Sequence, residues 1–327
     1  MTESRLRTLV ALAATGSVRG AASRLTVTES AVSASIGALA RELGVPLVEP
    51  VGRGLRLTAS GAVYARYARR VLGLLNEGAA AALQELDPER GRLRLAAVTT
   101  AGEHLLPALL AEFRQRHPRV ALALEVAPSA QVWDLVSAHE VDLVIAGAPP
   151  SGVEAQVVAT KPNELVVVAA PSVAEAFDWA STPWLLREQG SATRTRVEAY
   201  LKSRHVAPPR LVLGSNGAVV AGAVAELGCA LVSRDAVAEQ LGDRRLVVLP
   251  TPGTPMHRPW HAVVGTYSGA STRLFVRHLH ACGWRPHVPA SPTPPPDPPT
   301  GGRMLRRSRP RLDNVNGRRP AAVKGES

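Results

Sequence analysis

The chain has 327 residues and a mass of 34.5 kDa; 46% of its residues are hydrophobic and 4% aromatic, which excludes wholesale disorder and leaves few platforms for stacking on single-stranded nucleic acid. Its net charge of +11 is uneven: residues 1–70 carry ten Lys/Arg against four Asp/Glu, residues 71–285 carry twenty of each, and residues 286–327 carry eight against three. A neutral body between two basic ends fits ends that meet a polyanion, simple solubility being the plainer explanation.

The first 25 residues interleave Arg5 and Arg7 with apolar side chains and hold no compact apolar block with a cleavage site, so the pattern is a helix and not an export signal. No window approaches the roughly 20 apolar residues of a membrane helix. With Cys229 and Cys282 in apolar contexts without metal-ligand spacing, the expectation is a cytoplasmic protein with reduced thiols and no membrane contact.

Leu6, Leu9, Val10, Leu12 and Ala13 share a helical face that ends at Thr15-Gly16. Ser17 caps a short second helix through Val18, Ala21, Ala22 and Leu25; the paired alanines allow a close helix crossing. After Thr26-Val27, Thr28 caps a third helix whose buried stripe is Ala31, Val32, Ile36, Leu39 and Leu43. Its other face, Glu29, Ser30, Ser33, Ala34 and Ser35, is small and polar, as a helix lying in the major groove requires. Gly44 stops this helix, and Pro46 to Leu57 forms a two-stranded wing around Gly52-Arg53-Gly54, with Arg53 and Arg56 facing phosphate or the minor groove. Thr58 caps a long helix from Ala59 to about Leu86. Its narrow apolar stripe, Val63, Tyr67, Val71 and Leu74, suggests a dimerising coil, and Asp87 to Gly91 a hinge.

Residues 92–285 alternate short apolar strands with helices, which argues for parallel sheets. Strands are expected at 93–98, 120–126, 141–146, 165–169, 210–213 and 230–233, and helices at 103–116, 130–139, 193–204 and 218–227. Residues 155–161 and 260–266 serve as crossovers between two lobes, and a helix over 272–282 returns to the first. In such folds ligands bind at the carboxyl ends of strands, facing helix N-termini. Eight prolines within residues 286–299 and a Gly/Arg-rich sequence after them predict a disordered tail, 286–327.

Residues 16–61, GSVRGAASRLTVTESAVSASIGALARELGVPLVEPVGRGLRLTASG, resemble the winged helix-turn-helix of LysR-type transcriptional regulators. The paired alanines, the serine-rich start of the third helix, L-G-x-x-L (43–47) and R-x-x-x-L-T-x-S-G (53–61) follow one another in the family's order. Glu29 stands where the family usually has Gln, Ala34 where Arg is frequent, and Val48 and Pro50 where Phe and Arg are usual, which shifts DNA contact toward Arg19, Arg24, Arg53 and Arg56. GRLRLAAVTTAGEHLLPALLAEFRQRHPRVAL (91–122), VDLVIAGAPP (141–150), REQGSATR (187–194) and LGSNGAVVAGAVAELGCALVS (213–233) are similar to the family's effector domain.

The resemblance implies an α/β protein: a winged helix-turn-helix (1–57), a linker helix and hinge (58–90), and a two-lobed, periplasmic-binding-protein-like effector domain (91–285). Lobe I is about 91–160 with 267–285, and lobe II about 161–266. It implies DNA contact by Arg19, Arg24, Thr28, Glu29, Ser30, Ser33, Ala34, Ser35, Arg53 and Arg56. An effector cleft would be lined by Thr99, Thr100, Ala101, Gly147, Ser191, Thr193, Ser215 and Asn216, whose hydroxyls and free N–H groups suit a small anionic metabolite. The implied partners are double-stranded operator DNA, the effector, a second copy or a dimer of dimers, and RNA polymerase as a further contact.

No G-x-S-x-G, H-E-x-x-H, C-x-x-C or P-loop occurs, so no catalytic residue, cofactor or metal is expected. Arg194 is expected in a surface ion pair, and Trp133, Trp179, Trp184 and Trp260 as core or interface anchors. A solute receptor or a cytosolic enzyme on a similar two-lobed fold accounts for the body but leaves the helix-turn-helix without a role.

Overall fold

The computed structural model describes residues 1–52 and 54–287. Arg53 and the expected disordered segment from Val288 onward lie outside the described residues.

Three helices open the chain: α1 (Glu3–Thr15), α2 (Val18–Leu25) and α3 (Glu29–Leu43). Gly16 and Gly44 end α1 and α3 in the left-handed conformation (φ 68° and 72°), where the missing Cβ removes the steric cost. Ser17 Oγ accepts from Gly20 N at 3.0 Å and Thr28 Oγ1 from Ala31 N at 3.2 Å, so both predicted caps are formed. Leu9, Leu12, Ala21, Ala22, Val32, Ile36, Leu39 and Leu47 make one core. Ala13 and Ala31, placed inside by their spacing, are exposed: each lies at the margin of its apolar face, and larger side chains fill the centre. Strands β1 (Val48–Val51) and β2 (Gly54–Leu57) form the antiparallel wing.

Helix α4 (Ala59–Leu86) is capped by Thr58, whose hydroxyl also donates to Pro46 O at 2.7 Å. Gly61 lets it approach the wing: a Cβ there would lie 1.9 Å from Leu47 O. The expected hinge is a short 3-10 turn, Pro88–Arg90, and it is tied down. The buried Gln84 donates to Arg92 O (3.1 Å) and accepts from Ser271 N (3.2 Å), and Ser271 Oγ donates to Pro88 O (2.9 Å).

The body holds two α/β lobes. The first contains β3 (Arg92–Val98), α5 (Thr99–His104), α6 (Leu106–Arg116), β4 (Ala121–Ala127), α7 (Ser129–Ser137), β5 (Leu143–Ala146) and β6 (Gln156–Lys161). The second contains β7 (Glu164–Ala169), α8 (Pro171–Glu175), β8 (Trp184–Leu186), α9 (Ala192–Ser203), β9 (Arg210–Val212), α10 (Asn216–Val224), β10 (Ala230–Ser233), α11 (Ala238–Gly242), β11 (Val247–Val248) and β12 (Met256–His257). The chain then returns through β13 (Trp260–Val264), α12 (Ala270–Ala281) and β14 (Arg285–Pro286).

The six-stranded sheet runs β14-β6-β13-β5-β3-β4, with only β3 parallel to its neighbours β4 and β5. In the second sheet β7 pairs antiparallel with β10, β11 and β12, and β8 pairs parallel with β9. The parallel expectation is therefore corrected to mixed sheets: an apolar strand pattern reports burial, whereas direction is set by where the crossovers enter. Both sheets are buried on two faces. Leu93, Leu95 and Ala97 face α6 and α12, while Ala96 faces α7; Leu165, Val167 and Ala169 oppose Val166 and Val168 in the same way.

Three further differences have local causes. The helix expected over 103–116 is two helices, because Pro107 cannot continue a hydrogen-bonded turn from α5. The three-residue β8 and the two-residue β11, β12 and β14 were too short for periodicity to show. The tail boundary after residue 285 falls inside a strand: Pro286 pairs with Ala159, and His287 N donates to Val158 O at 3.3 Å.

Candidate nucleic-acid interface and effector cleft

Helix α3 turns its apolar stripe inward, and the opposite side is free. Glu29, Ser30, Ser33 and Ala34 are exposed and Ser35 is half-buried, so no serine of this face is consumed by packing. Thr28 and Ser30 hydroxyls lie 2.9 Å apart at the helix start. Arg19 and Arg24 are exposed on the neighbouring α2. Together these residues form a small, hydroxyl-lined ridge with two cations beside it, of the size and chemistry that enters a major groove. Arg53 falls outside the described residues, so the tip of the wing is not placed. Arg56 donates to Glu49 Oε1 at 2.7 Å across the wing; both side chains are exposed, and a pair of this kind is weak enough to yield to a phosphate.

In the body, Thr99, Thr100, Ser191 and Thr193 converge on one inner pocket of about 30 Å³, which also takes in Ser129, Arg187, Arg258 and Trp260. Ser191 caps α9, accepting from Arg194 N at 3.4 Å. Gly147 lines an adjoining cavity of about 950 Å³ with Trp133, Asp134, Arg196, His257 and His261. The two spaces share Ser129, Ala192 and Arg258, so Arg258 stands where they meet.

The remaining expected cleft residues sit elsewhere. Ala101 is wholly buried in the core of the first lobe, because α5 begins at Thr99 and turns its third residue back onto the sheet. Ser215 caps α10 by accepting from Ala218 N at 3.1 Å, and neither it nor Asn216 lines the two cavities. The buried Asn216 instead donates to His104 Nε2 at 3.3 Å, a link between the second-lobe helix and α5.

Sequence reading missed Arg258. It is half-buried, and no carboxylate among the described residues lies within 4.0 Å of its guanidinium. Burial, with Arg196 adding repulsion, pulls its pKa below the usual arginine value. Its backbone is fixed: Arg258 N donates to Asn163 O (2.8 Å), Asn163 Nδ2 donates to Arg258 O (2.9 Å), and Ser233 Oγ donates to Asn163 Oδ1 (2.5 Å). The other pocket arginine, Arg187, is neutralised by a two-pronged pair to Glu188 at 2.6 and 2.7 Å, and Arg194 pairs with Glu198 at 2.8 Å. The indole Nε1 of Trp260 is buried without a partner at the same pocket. A half-buried, uncompensated cation on a tied backbone, beside hydroxyls, is a site for an anion.

Two family descriptions match the chain. Residues 4–62 match "Bacterial regulatory helix-turn-helix protein, lysR family" and residues 86–282 match "LysR substrate binding domain". The chain belongs to the LysR family of transcriptional regulators. Among curated LysR-type relatives, the HTH-type transcriptional regulator CbbR of Rhodospirillum rubrum is 33% identical over 257 residues, covering 76% of this chain and 85% of CbbR. The regulatory domain of CcmR from Synechocystis, solved in complex with 2-PG, is 27% identical with a TM-score of 0.54, covering 58% of this chain and 96% of that domain. CbnR, another LysR-family regulator, shares the fold across 86% of this chain and 99% of its own (TM-score 0.61, 21% identity). The LysR-type architecture, a helix-turn-helix followed by a substrate-binding domain, thus makes this chain a ligand-responsive DNA-binding regulator. Among the described residues no helix is long and apolar enough to cross a membrane.

Proposed function

We propose that this regulator grips operator DNA with α3 and its wing, and that a small anionic metabolite anchored on Arg258 sets how it grips. The reading is carried by Arg258, whose guanidinium has no carboxylate partner among the described residues and whose backbone is tied where the inner pocket meets the larger cavity. Thr99, Thr100, Ser191 and Thr193 supply hydroxyls around it, and the ligand of the CcmR domain, 2-PG, makes that compound the first one to try. Thr28, Ser30, Ser33 and Ser35 face the groove, while Arg19, Arg24 and Arg56 meet phosphates. The exposed stripe Val63, Tyr67, Val71 and Leu74 on α4 joins two copies, and the work is cytoplasmic and non-catalytic, in keeping with relatives named as transcriptional regulators.

Calorimetric titration of the full chain with 2-PG tests this, paired with footprinting on the intergenic DNA beside its gene. Arg258→Ala should weaken ligand binding roughly 30-fold, the value of a charge-assisted contact, and leave ligand-free DNA binding unchanged. Equal affinity in the two proteins would sink the assignment of Arg258.

A further inference from the structure

Where α6 meets the end of α12, Glu112, His278 and Cys282 bring one ligand atom each within 4.8 Å of one another. His278 and Cys282 are four residues apart and so share a face. Glu112 approaches from α6: its Oε2 is 3.6 Å from Cys282 Sγ, which lies 3.9 Å from His278 Nδ1 and 3.6 Å from Nε2. A tetrahedral zinc ion with bonds of about 2.0–2.3 Å holds its ligands roughly 3.3–3.6 Å apart, so small side-chain rotations close the set. None of the three residues lines the cleft cavities.

The imidazole is already oriented. The buried His278 donates its Nε2–H to Leu109 O at 2.9 Å, which leaves Nδ1 as the nitrogen with a lone pair for a cation; Cys282 Sγ, at 3.6 Å from Nε2 and 3.9 Å from Nδ1, has to turn toward it. A backbone carbonyl on the far nitrogen is how proteins fix a metal-binding histidine. A cation also occupies the place now: Arg116 donates from its guanidinium to Nδ1 at 3.3 Å and lies 3.7 Å from Glu112 Oε2.

We propose that Glu112, His278 Nδ1 and Cys282 Sγ form a binding site for a divalent, borderline-soft cation of the zinc type, which displaces the exposed Arg116 side chain. The donor set of one thiolate, one neutral imidazole and one carboxylate matches that metal and balances its two positive charges, with water as the fourth ligand. On binding, the Cys282 thiol gives its proton to solvent as the sulfur–metal bond forms; no electron is transferred. Without metal, burial and the nearby Glu112 carboxylate keep that thiol's pKa above its ordinary value, so the proton stays until the cation arrives. The bound ion would staple α6 to the last turn of α12.

The test is a titration of the untagged, reduced full chain with Co²⁺ as the spectroscopic probe, followed by Zn²⁺ competition against a chromophoric chelator. One equivalent should bind with a thiolate-to-cobalt charge-transfer band. The chain holds two cysteines and Cys229 is wholly buried, so the band should vanish in Cys282→Ala and persist in Cys229→Ala. Two surface substitutions guard against misfolding as an explanation. Glu112→Gln should weaken Zn²⁺ binding at least about tenfold, and Arg116→Ala, which removes the competing cation, should tighten it a few-fold. No band in the wild-type chain, or a band unchanged in Cys282→Ala, overturns the site.

Discussion

A substitution on the outer face of α3 acts on DNA and leaves the core alone. Glu29 is exposed and pairs with no cation among the described residues, so its carboxylate faces whatever approaches the helix. Glu29→Gln should strengthen binding to non-specific duplex a few-fold by removing repulsion from phosphate, and flatten the preference for the operator; competition gel shifts measure both. Cys229 behaves in the opposite manner. Burial pushes its thiol pKa up to about 12, so a thiol reagent at neutral pH should label Cys282 alone in the native protein and reach Cys229 only on unfolding, as mass spectrometry will show. His261, on the cavity wall, has its pKa lowered chiefly by burial. Its unfolded form therefore takes up a proton first. The contribution is fully present above the ordinary value of about 6.5 and is lost as pH falls from there toward the folded pKa. His261→Gln should blunt that part of the decline in melting temperature.

Local chemistry made some of these residues legible and hid others. Ser17, Thr28 and Gly44 announce helix ends within a few residues, so the helix-turn-helix could be read directly from sequence. Arg258 could not, because its meaning comes from what is missing around it. Asn163, Ser233 and the return of β13 from the second lobe place it at the cavity, and no sequence interval records the lack of a carboxylate. Ala101 follows Thr99 and Thr100 directly, and spacing alone does not show which way the first turn of α5 rolls.

At the scale of elements, α4 carries two contacts on different sides. Arg69 donates from Nε to Glu140 at 2.6 Å, Glu77 meets His139 at 2.6 Å, and between them Gly73 sits so close to the end of α7 that a Cβ would lie 1.9 Å from Ala138 O. Gly73→Ala should therefore cost about 1–3 kcal/mol, read by thermal melting, and loosen α4 from the sensor in hydrogen exchange. The apolar stripe is separate, with Val63, Tyr67, Val71 and Leu74 each 45–60% exposed. Val71→Glu should leave the fold intact and lower the mass seen by light scattering by half or more, because a buried charge opposes a helical seam. Heptad-like spacing revealed the stripe; the Gly73 contact is long-range and was not visible.

For the whole molecule, charge separates the two activities. The operator-facing end holds +6 and the sensor is neutral, so DNA affinity should fall steeply with salt, at about 0.9 in log–log slope per phosphate contacted, while binding of the metabolite changes far less. A chain starting at residue 91 should keep the second property and lose the first, as gel shift and calorimetry on that fragment would show. Strand direction and the order of the two sheets escaped sequence reading because they depend on the paired crossings at β6 and β13, not on any single strand.

The 28-residue α4 is in effect a lever arm. From Gly73 to its start at Ala59 it extends roughly 21 Å at about 1.5 Å per residue, so a tilt of ~10° where Gly73 seats it would swing the reading head by about 4 Å, one base-pair step. Without flexing the rod, a sensor that nudges its own grip can shift the spacing between two heads by enough that the duplex must curve or one head must let go.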